Sequence, residues 1–150
     1  MTAAASITVP AEMDSLMQSL DFVRSFTAEN GFDKGRTGEI ELCLEEILVN
    51  ISSYAYPAGG GDIGLSCRLK SDGTLIVEVT DQGVPFDPLS VPDPDTSADV
   101  DNRNIGGLGI YFVKQLMDDV QYRREHERNI LTLTIKPGPK VPERNPGTVA

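Results

Sequence analysis

In residues Glu39 to Pro57, EIELCLEEILVNISSYAYP, apolar side chains recur at Ile40, Cys43, Leu44, Ile47, Leu48, Ile51 and Ala55. That is the spacing of one helical face, so the segment is predicted to lie as a helix against a core. Glu46 and Asn50 are four residues apart, hence about 40° from each other around the helix and just off the apolar stripe. A pocket edge at that position would expose both. Together a carboxylate and an amide oxygen can orient a nucleophile and hold a hard cation such as Mg²⁺. Glu45 lies about 100° away and reads as a solvated charge. In isolation the helix reads first as an ordinary amphipathic one with its Glu and Asn side chains in water, so the decision falls to the segments downstream.

Around this helix the chain alternates between the two structural periods. Ser6 to Val9 is a short β-prone run closed by Pro10. Ala11 to Asn30 carries Met13, Leu16, Met17, Leu20 and Val23 at helical spacing and stops at Gly31. Tyr56-Pro57 and the turn Ala58 to Gly61 end the central helix. Ile63 to Leu69 and Thr74 to Thr80 flank Ser71-Asp72-Gly73 and read as a β-hairpin, with Leu75, Val77 and Val79 on one buried face. Asp87 to Asn104 holds three prolines and five aspartates without apolar periodicity. A loop that long in a compact domain is expected to be a lid or binding loop. Gly106-Gly107-Leu108-Gly109 opens a helix with Ile110, Val113, Leu116 and Met117, and strands Val120 to Arg124 and Ile130 to Ile135 follow. The strand runs form hairpins on both sides of the lid, which predicts an α/β two-layer sandwich: a mostly antiparallel mixed sheet with helices packed on one face. The expected organisation is one domain over residues 1–136 and a disordered Pro-rich tail over 137–150.

Composition narrows the function classes. A formal charge of −10 on 150 residues, with no cluster of Lys and Arg, argues against direct nucleic-acid binding. No apolar run approaches membrane-spanning length, and MTAAASITVP lacks the regions of a signal peptide, so a cytoplasmic protein without membrane contact is expected. Cys43 and Cys67 lack metal-ligand spacing and sit in apolar-periodic segments, which predicts buried thiols. For so acidic a chain, a phosphate ligand would need a cation and backbone N–H groups to supply positive potential.

Two further motifs carry chemistry. In Asp81-Gln82-Gly83-Val84-Pro85-Phe86, an aspartate at a strand end can accept from an exocyclic amino group such as adenine's. The glycine two residues on lets a flat ring approach the backbone; the plainer reading is turn chemistry. At a helix start, Gly106, Gly107, Leu108 and Gly109 offer bare N–H groups to phosphate oxygens, reinforced by the helix dipole; the plainer reading is a hinge.

Taken in order, the three segments resemble the N, G1 and G2 boxes of the Bergerat-fold ATPases, the superfamily of gyrase B, histidine kinases, MutL and the bacterial anti-sigma kinases. EExxxNxxxxAY, DQGxPFDP and GGLGIYFVKQLMDDV look most like the stand-alone anti-sigma factor serine/threonine kinases, and the likeness covers about Ile7 to Lys136. The resemblance implies ATP and Mg²⁺ as cofactors, with Glu46 as general base, Asn50 as Mg²⁺ ligand, Asp81 as the adenine-reading acid and Gly83 in the purine pocket. Gly106, Gly107, Leu108 and Gly109 would cradle the phosphates. It implies a kinase that phosphorylates Ser or Thr on a small anti-anti-sigma (STAS-type) partner, sequesters a sigma factor and forms a homodimer. The alternative of the same fold is a nucleotide-gated binding module without phosphoryl transfer; an intact Glu46 favours the kinase. Three positions depart from or leave open the family pattern. Tyr54 stands where many relatives have histidine, and Ile105 stands where some have arginine, with Arg103 the nearest one. The adenine-pocket threonine of the last strand could be Thr132 or Thr134.

Overall fold

The computed structural model describes residues 3–90 and 105–138, the first four of the latter as backbone only. Five strands form one sheet: β1 (Ala3–Pro10), β2 (Asp62–Leu69), β3 (Leu75–Asp81), β4 (Asp119–Glu125) and β5 (Arg128–Ile135), in the order β1-β2-β3-β5-β4. All four pairings among the described residues are antiparallel. Helices α1 (Leu16–Glu29), α2 (Lys34–Asn50) and α3 (Ile105–Leu116) pack on one face. The expected two-layer sandwich is therefore present, and its described sheet is wholly antiparallel rather than mixed.

Both hairpins form for local reasons. Between β2 and β3, Gly73 takes φ +89° and Asp72 Oδ1 accepts the Thr74 N–H at 2.9 Å. That bond to the backbone N–H holds the Asp72 carboxyl below its ordinary range. Between β4 and β5, His126 and Glu127 both have positive φ, the backbone of a two-residue primed turn. The alternation in β3 buries Leu75, Val77 and Val79 as predicted, along with Ile63, Leu65 and Cys67 of β2 and Leu131, Leu133 and Ile135 of β5. Cys43 and Cys67 are buried as thiols, and burial pushes the Cys67 thiol up to about 12.

The first helix departs from its sequence reading. A short 3-10 turn, Met13–Ser15, precedes α1, and the buried face is Ser19, Leu20, Val23, Phe26 and Thr27. Met13 and Met17 are exposed; Met17 lies about 120° around the helix from Val23. Ser19 and Thr27 can join the core because their hydroxyls donate to the Ser15 and Val23 carbonyls at 2.9 and 3.0 Å.

Helix α2 begins earlier than its apolar stripe. Asp33 caps it, its Oδ1 accepting from Arg36 N at 2.9 Å, so Gly35 and Gly38 lie inside the first turns. Arg36 occupies the stripe one turn before Ile40 and is 1% exposed. Its guanidinium donates to Glu39 Oε2 (2.5 Å), the Leu116 carbonyl (2.9 Å) and Asp118 Oδ2 (2.6 Å), tying the start of α2 to the end of α3. After Asn50 the helix widens into a π turn, Ile51–Ala55. Of the lid expected over 87–104, only its start is described: Asp87 Oδ1 accepts from Leu89 N at 2.9 Å and Pro88–Ser90 form a 3-10 turn. Residues 91–104 and the tail from 139 onward lie outside the described residues. Among the described residues no helix is long and apolar enough to cross a membrane.

The buried guanidinium yields an ordered pair of outcomes in urea unfolding. Asp118→Ala leaves a buried charge short of a partner and is expected to destabilise by about 3 kcal/mol. Arg36→Met removes the charge and keeps the apolar stem, so it is expected to cost less. The reverse order would show that the charge network contributes little.

Candidate nucleotide site

Where α2 ends and β3 ends, the two elements enclose a cavity of about 480 Å³. That lies within the range of roughly 300–1,000 Å³ found for small-molecule sites. Its walls are mainly apolar, including Ile47, Val79, Ile110 and Leu131, with Asn50, Asp81 and Asn129 as polar groups. Asp81 ends the central strand and is 6% exposed. Its Oδ1 accepts from Gly83 N and from Asn129 Nδ2, each at 2.9 Å. Among the described residues its Oδ2 has no hydrogen-bond donor, so one carboxylate oxygen of a largely buried residue on an apolar wall is available to a ligand amino group.

The turn after β3 is held by tertiary contacts at each residue. Gln82 N donates to the Tyr56 hydroxyl at 2.7 Å, and that hydroxyl donates to the Asp62 carbonyl at 2.6 Å. Burial, ahead of the nearby Asp81 charge, raises the Tyr56 phenol above its ordinary range. Arg124 Nη1 donates to Gly83 O at 2.8 Å, and Val84 N donates to Ala55 O at 2.9 Å. Gly83 itself lies against the Ala55 backbone, where a Cβ would collide with the Ala55 carbonyl. The expectation for Gly83 thus changes in its reason: this glycine is needed for contact with the end of α2, and the space is filled by protein rather than open to a ring.

The predicted site residues come together in two groups. Asn50 and Asp81 share the cavity. Glu46, one turn earlier on α2, is half-buried beside α3, and a Cβ on Gly109 would strike its carboxylate. Gly106, Gly107 and Leu108 form the first turn of α3 with helical backbone, so their N–H groups belong to a helix N-terminus. Tyr54 is 73% exposed on the cavity rim, and Arg103 lies outside the described residues. Neither Thr132 nor Thr134 is on the cavity wall: they alternate with the buried Leu131, Leu133 and Ile135, and Thr132 Oγ1 donates to Glu78 Oε2 at 3.2 Å on the opposite face. Sequence reasoning missed Asn129. Counting back from Leu133 and Leu131 puts it on the buried face, where an Asn in an apolar alternation signals a polar partner.

The sequence matches the histidine kinase-like ATPase domain family over residues 9–135. This chain belongs to that family. It is 30% identical over 123 residues to the serine-protein kinase RsbW of Halalkalibacterium halodurans, covering 79% of this chain and 75% of that one. It is 29% identical over 102 residues to the serine/threonine-protein kinase BtrW of Bordetella bronchiseptica, covering 67% and 71%. Its fold is shared with the RsbU and RsbW domains of Rv1364c from Mycobacterium tuberculosis, with a TM-score of 0.64 at 19% identity over 93% of this chain and 35% of that one. ATP use is a trait of the ATPase family, and the apolar cavity with one unpartnered carboxylate oxygen suits a purine. No group of three or more His, Cys, Asp or Glu able to hold a metal by itself occurs among the described residues. A cation here would therefore need ligand phosphates beside Asn50, the usual habit of Mg²⁺.

Gly83→Ala is expected to destabilise by about 1–3 kcal/mol in urea unfolding, since the methyl must push the turn off Ala55. Gly38→Ala, with open space around its Cβ inside α2, should stabilise by about 0.5–1 kcal/mol. Equal effects would contradict the close approach at Gly83.

Proposed function

We propose that this ATPase-family protein is an ATP-dependent serine/threonine protein kinase that acts as an anti-sigma factor. The observation that supports the reading is the packing of the Glu46 carboxylate against Gly109, in the turn expected to hold phosphate and one helical turn from Asn50 on the cavity wall. The likeness to proteins named serine-protein kinases supports the same reading.

The residue roles are those that the resemblance to the Bergerat-fold ATPases implies. Asp81 accepts the adenine amino group through Oδ2, and guanine would present a carbonyl there and leave two acceptors facing each other. Asn50 would ligate Mg²⁺, and the N–H groups of Gly106, Gly107, Leu108 and Gly109 would receive phosphate oxygens at the N-terminus of α3. When bound, Mg·ATP supplies the phosphoryl group and neutralises charge. Glu46 orients the Ser or Thr hydroxyl of the protein substrate and accepts its proton. The transition state of phosphoryl transfer is loose, so positioning by Asn50 and the α3 amides contributes more than the base.

The partners are those that the resemblance implies, and the charge is compatible with them. A chain at −10 suits the basic surface of a sigma factor, and phosphorylation adds about two negative charges to the other client. A small anti-anti-sigma protein of STAS type would thus be released after phosphorylation, freeing this protein, as a homodimer, to hold sigma.

Calorimetry should show ATP bound in preference to GTP, with Asp81→Asn weakening ATP by about 1–3 kcal/mol. Equal affinity for the two nucleotides would overturn the role of Asp81. With γ-labelled ATP and the unphosphorylated partner, Glu46→Gln is expected to keep Mg·ATP binding and to lose transfer by about 10²-fold or more. Transfer at the wild-type rate would place the base elsewhere. Nucleotide binding with no transfer in the wild type would leave a nucleotide-gated binding module.

A further inference from the structure

Asp81 does not stand alone on the cavity wall. Across the β3–β5 pairing it faces Asn129, which is 7% exposed. Asn129 Nδ2 donates to Asp81 Oδ1 and to Val84 O, each at 2.9 Å. Its Oδ1 accepts the Tyr122 hydroxyl at 2.6 Å and Phe86 N at 3.3 Å. The amide orientation is determined by these partners, because Phe86 N–H can only donate and Val84 O can only accept. With both donors and the acceptor engaged, Asn129 has nothing left for a ligand.

We propose that Asn129, oriented by Tyr122, is a positioning residue for nucleotide recognition. It grips Oδ1 of Asp81 so that Oδ2 faces the base, and it ties the Val84–Phe86 turn to the same point. This rests on Asp81 being the base-reading group. The neutral amide is the right chemistry: it supplies a donor to the carboxylate without a second charge, and Asp81 stays an acceptor toward the cavity. Tyr122 acts at one remove, holding the amide carbonyl so that the N–H₂ cannot turn away.

The substitution Asn129→Asp keeps the shape and replaces the donor with a second carboxylate beside Asp81. At pH 8 the two like charges repel, and ATP should bind about 10-fold more weakly or worse. At lower pH one proton enters the pair and restores a donor between the two groups. The ratio of mutant to wild-type Kd, measured by calorimetry with Mg·ATP, should therefore shrink steadily from pH 8 to pH 5.5. Dividing by the wild-type value cancels the titration of the nucleotide and whatever else is common to both proteins, His126 in the neighbouring turn included. Arg124 and the Tyr56 hydroxyl, the other polar groups on this turn, are the same in both proteins. A ratio independent of pH, or near one throughout, would overturn the proposal.

A second measurement decides even if Asn129→Asp does not fold, as judged by circular dichroism. Tyr122→Phe should weaken ATP several-fold in the wild-type background and have no effect on top of Asp81→Asn, because its action runs through that carboxylate. Equal losses in both backgrounds, or no loss in either, would overturn it. If Asp81→Asn binds ATP as well as the wild type does, the base-reading role falls and this proposal falls with it. If Asp81→Asn is impaired while Tyr122→Phe and Asn129→Asp bind normally at every pH, only the positioning role is lost.

Discussion

Helix α2 and strand β3 meet where the Val84 N–H reaches the Ala55 carbonyl and Gly83 lies flat on the Ala55 backbone. The cavity exists because of that contact. A helix end carries carbonyls without intrahelical partners, and the turn after β3 carries N–H groups that have left the sheet; each satisfies the other. The π turn at Ile51–Ala55 helps, since a widened last turn moves the Ala55 carbonyl off the ordinary helical path, and such turns recur at functional sites. A side chain at Gly83 would separate the two ends and open the floor of the pocket.

The other end of α2 is fixed by charge rather than by fit. Arg36 is buried among its partners Glu39, Leu116 and Asp118, and Asp118 Oδ2 also accepts from Lys136 N at 2.8 Å. The guanidinium thus joins the start of α2 to the end of α3, and the Asp118 carboxylate extends the link to the residue after β5. Two anchored ends leave α2 little freedom to slide along its axis. That restriction matters to the site, because Glu46 and Asn50 lie on this helix while their proposed ligands come from β3 and α3.

The electrostatics of the site are local. The chain carries −10 overall, yet its proposed ligand is polyanionic, so bulk charge opposes binding and positive potential must come from backbone N–H groups at α3 and from a cation. The cavity wall is correspondingly sparing with charge. Among the described residues Asp81 is the one carboxylate on it, and that carboxylate is engaged by neutral donors on one oxygen. An arrangement of this kind suits the uncharged end of a nucleotide and leaves the phosphates to the helix end.

Much of the molecule was legible from residues alone, because its information is periodic or local. The alternation in Leu75 to Thr80, the Asp72-Gly73 turn and the apolar stripe of α2 each depend on neighbours a few residues apart, so the strands, hairpins and core helix could be read directly. Glu46, Asn50, Asp81 and the glycines around 106–109 each had a plain reading alone and stood out only because their order and spacing resemble the three boxes of the Bergerat-fold ATPases. Tertiary structure decided what depends on partners distant in sequence. Asn129 orients Asp81 from 48 residues away, with Tyr122 behind it. Arg36 finds Asp118 82 residues on. The exposure of Met13 and Met17 was decided by which face of α1 meets the core, Ser19, Leu20, Val23, Phe26 and Thr27, with Met13 in a separate 3-10 turn before the helix. Gly83 shows the division within one residue: its sequence signals a position where a side chain is not tolerated, and only the packed structure shows that the obstacle is the end of α2.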